Sequence, residues 1–329
     1  MSTAGHTMGS APLAPVDAAA ESRRTLGRRS PGRRLKDDPA GTGNGTENSR
    51  RRRRTGGSQR RPGFVVYGCL AAVVLGGLFP LWWSILIGSH HGTILAETSF
   101  PLIPGGNFFA NAAAVMDTVP FWRATANSII VSTATATSVV FFSTLAGYAF
   151  AKLRFKGSGP LLIFVIATMA VPTQLGVVPL YQVMATLGWT GELTAVIVPG
   201  LVTAFGVFWM TQYLRSAIPD ELIEAATVDG CNMIRTFIHV CLPAARPAAS
   251  MLFLFTFVAS WTNFFWPFIV LGPQNPTLPV ALQQLQAAHF VDYSLVLTGA
   301  TLATVPLLIL FIFTGRQLVS GIMQGAVKA

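Results

Sequence analysis

Charged side chains are scarce in this chain of 329 residues. Asp, Glu, Lys and Arg make up 11% of it and 51% of its residues are hydrophobic, whereas soluble domains carry roughly 25% charged residues. The composition therefore excludes an ordinary soluble domain and predicts a membrane protein. The formal net charge of +10 comes almost entirely from residues 1–63, so the rest of the chain is close to neutral.

The sequence also lacks the motifs of energy-converting and hydrolytic sites. None of its lysines follows a glycine-rich P-loop of the form GxxxxGK[ST], so nothing predicts ATP binding by this chain. Neither HExxH nor GxSxG occurs, which leaves an intramembrane enzyme without support. The cysteines, Cys69, Cys231 and Cys241, have no metal-ligand spacing, and neither a metal site nor a structural disulfide is predicted.

Long apolar runs dominate what remains. A helix crosses the hydrocarbon of a bilayer in about 20 apolar residues. Runs of this kind predict six spans, near residues 64–87, 124–151, 160–181, 193–213, 248–271 and 293–314. The runs are continuous rather than alternating, so we expect an all-α membrane protein with six transmembrane helices and not a barrel.

The positions of the basic residues predict the orientation. With six spans, the connections at 152–156 and 215–246 share one side of the membrane with both termini, and Arg123 is the one Lys or Arg on the other side. Because cytosolic connections are enriched in Lys and Arg, we expect both termini to be cytosolic.

The N-terminal region has a different composition from the spans. It contains "SRRRRRTGGSQRRPG" (Ser49–Gly63) and almost no aromatic or β-branched residues, which predicts a disordered cytosolic basic tail over residues 1–63. A charge anchor for the first span is the favoured role, with binding to anionic lipid or nucleic acid as alternatives. A twin-arginine signal peptide is disfavoured, because the apolar run is too long and further spans follow.

The four central spans contain no Asp, Glu, Lys, Arg or His. An ion-coupled pump usually needs buried ionisable groups, although a sodium-coupled carrier that uses carbonyls and hydroxyls stays open. The second span, "ATANSIIVSTATATSVVFFSTLAGYAF", is rich in small and hydroxyl residues, for which helix packing is favoured over a solute path. Pro172, Pro179 and Pro199 interrupt the third and fourth spans, as in helices that border a cavity.

One connection, "ELIEAATVDGCNMIRTFIHVCLP" (Glu221–Pro243), is amphipathic rather than merely polar. Pro219 suits the first turn of a helix, and the acidic residues that follow complement its positive end. Gly230 is expected to end this helix in a left-handed conformation. A second short helix over Asn232–Val240 is expected to stop at Pro243, before the fifth span. An acidic start is unfavourable beside anionic headgroups and favours a protein partner.

This connection resembles the EAA loop of ABC importer permeases, EAA-x3-G-x9-I-x-LP. Glu224-Ala225-Ala226, Gly230 and Leu242-Pro243 match it, with Val240 in place of isoleucine. Other stretches, among them "VPTQLGVVPLYQVM", "WTNFFWPFIVL" and "RQLVSGIMQGAVKA", are similar to carbohydrate ABC importers of the maltose-permease type, specifically the second, six-span permease subunit. The resemblance covers residues 64–329 and implies a location in the bacterial cytoplasmic membrane.

The resemblance implies a non-enzymatic subunit that works with other chains. They are a second permease in a heterodimer, a cytosolic ATPase dimer that holds ATP and Mg, and an extracytoplasmic sugar-binding protein; this chain itself is expected to bind no cofactor, metal or nucleic acid. The coupling-helix loop, 217–245, is implied to contact the ATPase through Glu221, Glu224, Ala225, Ala226, Asp229, Gly230, Leu242 and Pro243.

Sugar recognition requires stacking surfaces and uncharged hydrogen-bonding groups. Candidates on the predicted path are Gln174, Tyr181, Trp261, Asn263 and Trp266, although aromatic residues more often pack. A polyol or glycerol phosphate is the alternative cargo, and a sodium-coupled secondary carrier is the alternative class. For His90–Gly92, a surface turn is favoured over a metal site.

Overall fold

The described part of the chain folds into a bundle of helices. The structure, a computed structural model, describes residues 63–92, 101–286 and 291–326, with side chains as far as residue 314. All regular elements in these ranges are helical, which confirms the all-α class. The basic tail predicted for residues 1–63 lies outside the described residues except for Gly63. The α-helices are α1 Phe64–Gly88, α2 Phe108–Thr118, α3 Phe121–Lys152, α4 Ser158–Thr168, α5 Val177–Thr186, α6 Thr194–Ile197, α7 Ala204–Ala217, α8 Asp220–Val228, α9 Met233–Thr236, α10 Leu242–Trp261, α11 Phe265–Val270, α12 Leu278–Gln283 and α13 Tyr293–Ala326.

The number of membrane spans agrees with the sequence when one bent helix pair is counted as a span. Five helical segments of the described chain are long and apolar enough to cross a membrane, namely Phe64–Gly88, Phe121–Lys152, Thr194–Ala217, Met233–Trp261 and Tyr293–Thr314. The sixth is the pair Ser158–Thr168 and Thr173–Thr186, which is bent by 87°.

The bend in the third span lies where the sequence has a proline. Helix α4 ends at Thr168, and Pro172 in the break that follows is extended, with φ −61° and ψ 123°. Proline cannot donate a backbone hydrogen bond and disfavours a helical residue before it. The interruption predicted at Pro172 is therefore confirmed, and two half-length helices at nearly a right angle make up the span predicted for residues 160–181.

The fifth span begins and ends earlier than predicted. Helix α9 continues through a wide π turn at Phe237–Cys241 directly into α10, which ends at Trp261. The prediction that Pro243 stops a short helix, and that the next span covers 248–271, is wrong. A π turn already displaces the ordinary backbone bonds, so a proline that lacks an N–H is accommodated immediately after it.

Helix α3 lies at the centre of the bundle and packs against α7 and α10. The backbones of α3 and α7 come very close at Gly147, where an added Cβ would lie 2.8 Å from Met210 Cβ. The hydroxyl residues Ser128, Ser132, Ser143 and Thr144 of α3 are buried. These contacts confirm helix packing for this part of the second predicted span.

A second face of α3 is not covered by the rest of the chain. A shallow open groove lies along it, lined by Ile129, Ile130, Thr133, Ala134, Thr137, Ser138, Phe141 and Phe142. Small and hydroxyl residues therefore occur on both faces of this helix, so the packing interpretation accounts for only part of them.

The His90–Gly92 stretch is a turn tied to two other elements. Asn111 of α2 donates from Nδ2 to the carbonyls of Gly88 and His90, at 2.9 and 2.8 Å. Ser294 of α13 donates from Oγ to the carbonyl of His91 at 3.1 Å. Within the described residues no group of three His, Cys, Asp or Glu is arranged to hold a metal ion. The turn interpretation of this stretch is confirmed by these bonds.

Candidate functional site

The short helix α8 carries the acidic start of the segment that resembles a coupling loop. Pro219 precedes it in an extended conformation, with φ −62° and ψ 148°, and Asp220 and Glu221 lie in its first turn. The fixed φ of proline suits this entry, and carboxylates there stabilise the positive end of the helix dipole. The predicted start of the helix is confirmed.

A tight turn at Gly230 ends α8. Gly230 has φ +78°, in the left-handed region that glycine adopts without strain. The Cys231 N–H donates to the Ala226 carbonyl at 2.9 Å, and the Gly230 N–H donates to the Thr227 carbonyl at 3.0 Å. Together these bonds form a Schellman motif, which satisfies carbonyls that a helix end otherwise leaves without a partner. The prediction for Gly230 is confirmed.

The next helix begins two residues later with a side-chain cap. Asn232 accepts a hydrogen bond on Oδ1 from the Arg235 N–H at 2.9 Å. This bond satisfies one of the free amides of the first turn. The segment is therefore a helix, a fixed elbow and a second helix that continues as the fifth span. Four residues, 229–232, separate α8 from the helix that continues as the fifth span.

The two alanines of the EAA stretch differ in exposure. Ala226 is 8% exposed and lies against the bundle, whereas Glu224 and Ala225 are exposed. Glu221, Asp229 and Gly230 are exposed as well. Leu242 and Pro243 are exposed but lie inside the long helix, beyond the elbow. The residues matched to the loop thus do not form one patch.

Large apolar side chains are also exposed on this segment. Val228 is 87% exposed and Ile234 is 68% exposed, and Leu222, Met233 and Ile238 are exposed to a lesser degree. A surface with small, acidic and apolar residues is typical of a surface that binds a protein partner. Removing its exposed apolar groups from water lowers the free energy of the system.

An ion pair joins the start of α8 to the end of α3. Lys152 donates from Nζ to Oδ1 of Asp220 at 2.7 Å. The hydrogen bond and charge of Lys152, with a smaller contribution from the charge of Arg154, hold the pKa of the Asp220 carboxyl below its ordinary value. Asp220 is consequently ionised at neutral pH and keeps its bond to Lys152.

The tryptophans predicted to line a solute path lie within the bundle. Trp261 is 3% exposed, stacks on Phe257 with ring centroids 5.8 Å apart, and donates from Nε1 to the Ala303 carbonyl at 3.2 Å. Trp266 donates from Nε1 to the Ala195 carbonyl at 2.9 Å. The structure gives both residues packing and hydrogen-bonding roles.

The other candidates for the path have exposed side chains. Gln174 lies in the short helical turn after Pro172, and Tyr181 lies in α5, beyond the bend of the third span. Asn263 lies in the break between α10 and α11. No side-chain hydrogen bond joins these three residues within the described part of the chain, and their role in solute binding stays a prediction.

Sequence reasoning missed the residues that hold the segment in place. Tyr148 lies against Phe237, with ring centroids 5.6 Å apart, and Lys152 pairs with an acid 68 residues away. A basic residue at the end of a predicted span was a signal for orientation only, since nothing in the local sequence indicates its partner. The Asn232 cap was visible as an Asn before a helix.

Comparisons with known proteins show a family match and similar transport proteins. Residues 139–322 match the family of binding-protein-dependent transport system inner membrane components. A lactose transport system permease protein of Rhizobium radiobacter is 30% identical over 274 residues, which cover 82% of this chain and 98% of that protein. An arabinooligosaccharides transport system permease protein of Halalkalibacterium halodurans is 34% identical over 209 residues, which cover 63% of this chain and 75% of that protein.

The fold also has a counterpart among solved structures. A chain in the crystal structure of a bacterial ABC transporter involved in the import of the acidic polysaccharide alginate superposes with a TM-score of 0.65 at 22% identity, covering 77% of this chain and 96% of that chain. The family match spans more than half of the sequence, and the helices have the length and apolar character of membrane spans. The chain is therefore a multi-pass membrane protein that belongs to the inner membrane components of binding-protein-dependent transport systems, the permeases of ABC importers.

Proposed function

We propose that this chain forms half of the translocation pathway for a sugar or oligosaccharide and couples it to ATP hydrolysis by a separate ATPase subunit. The observation that carries the proposal is the exposed helix and elbow at Asp220–Asn232, which is followed directly by a membrane helix. A helix seated in a cleft of an ATPase moves when the cleft closes, and a fixed elbow passes that motion to the attached span.

The proposed assembly contains several other chains. A second permease completes the pathway as a heterodimer, and two ATPase subunits bind ATP and Mg, so this chain needs no cofactor of its own. A sugar-binding protein delivers the solute at the extracytoplasmic face. The distribution of Lys and Arg supports an orientation with both termini, and the Asp220–Asn232 elbow, in the cytosol.

A neutral carbohydrate fits the chemistry of the membrane-spanning segments. The lactose and arabinooligosaccharide permeases named above support this class of cargo. The apolar stretches 124–151, 160–181, 193–213 and 248–271 contain no Lys or Arg that would pair with a phosphate, and Arg123, at the end of the bundle opposite the elbow, donates to Asn275 at 2.6 Å. Exposed amide, hydroxyl and phenol groups, such as those of Gln174 and Tyr181, suit uncharged hydrogen bonding.

The test is uptake by the assembled transporter in liposomes. The chain is co-purified with its partner permease, ATPase and binding protein, and radiolabelled lactose, arabinotriose, maltose and glycerol 3-phosphate are offered with and without ATP inside. We expect ATP-dependent uptake of at least one of the sugars and none of glycerol 3-phosphate. Uptake of glycerol 3-phosphate alone contradicts the cargo class, and uptake by this chain alone without ATP contradicts the coupling.

A further inference from the structure

The last turn of α3 holds both helices of the coupling segment, which we define as residues 219–243. Lys152 pairs with Asp220 at the start of the first helix at 2.7 Å. One turn earlier, Tyr148 lies against Phe237 of the second helix, with ring centroids 5.6 Å apart, and its Oη lies 3.5 Å from the Met233 carbonyl. The segment is thus attached to α3 on both sides of its elbow.

The two partners of the ion pair differ sharply in exposure. The side chain of Lys152 is 5% exposed, whereas that of Asp220 is 68% exposed. Lys152 consequently has almost no surface with which to contact another protein. Any effect of Lys152 on a docked ATPase must pass through Asp220 or through the position of α8.

The aromatic contact is more deeply enclosed than the ion pair. Tyr148 is 3% exposed and Phe237 is 8% exposed, and both belong to the core formed by α3, α7 and α10. An apolar contact of this kind fixes where the second helix leaves the bundle. The ion pair then fixes the direction in which α8 extends from the elbow, because two separated attachments prevent rotation about either one.

We propose that Lys152 is a positioning residue that sets the orientation of α8 for the ATPase, with the Tyr148–Phe237 contact as the second attachment. The inference rests on the proposed function and adds a second connection, through α3, between the coupling segment and the bundle. In addition to its covalent links to α7 and α10, the coupling segment moves with α3, the helix at the centre of the bundle. Lys152 acts through Asp220 and does not contact the ATPase.

The experiment measures binding of the ATPase to the complete permease pair. The ATPase subunit that co-purifies with the native complex is identified by mass spectrometry, purified separately, and titrated onto permease pairs in nanodiscs. The variants are Lys152→Met, which keeps the apolar stem and removes the charge, Asp220→Asn, and the exchanged pair Lys152→Asp with Asp220→Lys. Lys156→Met is the matched control, because Lys156 is exposed and makes no ion pair within the described residues.

We expect each single variant to raise the Kd for the ATPase on the order of 5-fold, as loss of one ion pair allows. The exchanged pair should return the Kd to within about 2-fold of the native value, and Lys156→Met should leave it unchanged. The melting temperature of each permease pair is measured alongside, because a purely structural role lowers it without rescue by the exchange.

Three results overturn the proposal. A native Kd with Lys152→Met, together with a raised Kd for Asp220→Asn, shows that Asp220 contacts the ATPase by itself. A raised Kd that the exchanged pair does not restore, with a lowered melting temperature, shows general stabilisation by Lys152. Absence of any ATPase bound to the native permease pair contradicts the proposed function as well, and is thereby distinguished from the other two.

Discussion

The backbone N–H of Cys231 donates to the carbonyl of Ala226 across 2.9 Å, and the chain closes this bond because Gly230 between them has φ +78°. The bond turns α8 back towards the helix that enters the membrane. Much of the geometry on which the proposed coupling depends is set by this one backbone conformation.

Replacement of Gly230 separates backbone strain from steric clash. A Cβ at Gly230 meets no atom within 4 Å, so the effect of a side chain comes from φ alone. Gly230→Val should destabilise the elbow by about 1–2 kcal/mol, whereas Gly230→Asn should be tolerated, because Asn adopts the left-handed region. We expect Gly230→Val to lose ATP-driven uptake while its membrane insertion, measured by protease accessibility, stays native. Normal uptake by the valine variant contradicts this role of the elbow.

The close approach of α3 and α7 predicts a stability effect elsewhere. An added Cβ at Gly147 lies 2.8 Å from Met210 Cβ and 2.9 Å from the Met210 carbonyl carbon. Gly147→Ala should therefore force the helices apart and cost about 1–3 kcal/mol of unfolding free energy. Gly159→Ala is the control, since a Cβ there meets nothing. Thermal unfolding in detergent measures both, and equal melting temperatures would show that the two helices are not in close contact.

Trp266 and Asn263 lie on either side of the start of α11 and should respond differently. Trp266→Phe removes the N–H that bonds to the Ala195 carbonyl and should cost about 1 kcal/mol of stability, with the KM for the sugar unchanged. Asn263→Ala removes an exposed amide that makes no side-chain hydrogen bond within the described residues, so it should leave the stability unchanged. If Asn263 lines the solute path, its variant raises the KM for uptake. A raised KM for Trp266→Phe together with a native KM for Asn263→Ala would place Trp266 on the path.

The ion pair predicts how Asp220 titrates. Its ordinary pKa of 3.8 is lowered first by the hydrogen bond from Lys152 and next by the charge of that lysine. A lowered pKa contributes stability that is present above the ordinary value and is lost as the pH falls through the folded-state pKa. Lys152→Met should raise the pKa of Asp220 towards 3.8, as followed by ¹³C NMR of labelled aspartate carboxyls, with Asp220→Asn for assignment. Identical titration curves in the native chain and the Lys152→Met variant would show that the pair does not form.

The sequence predicted the local features of the site and missed those that depend on distant contacts. Pro219, Gly230 and the acidic first turn act on neighbouring backbone groups, so their effects follow from the residues themselves. The contact of Lys152 with Asp220 joins positions 68 residues apart, and the packing of α3 against α7 decides it. No local pattern carries that information.

Two prolines had different outcomes in the predicted helices. The third span breaks near Pro172, as predicted, with a bend of 87°, whereas Pro243 lies inside a continuous helix that it was predicted to end. The difference depends on whether neighbouring helices and a π turn accommodate the missing hydrogen bond, which is a property of the tertiary structure. The match of Glu224-Ala225-Ala226, Gly230 and Leu242-Pro243 to a loop motif was correct in spacing, although its last two residues lie on the long helix.

The proposed coupling requires the exposed face of α8 to bind an ATPase, and co-purification from solubilised membranes tests this requirement. The native chain, Glu224→Arg and Asp117→Arg are compared, the last being an exposed acid on α2 with the same change of charge. We predict that the native chain and Asp117→Arg retain a second permease and an ATPase, while Glu224→Arg retains the permease and loses the ATPase. Retention of the ATPase by Glu224→Arg at the native level would contradict the account.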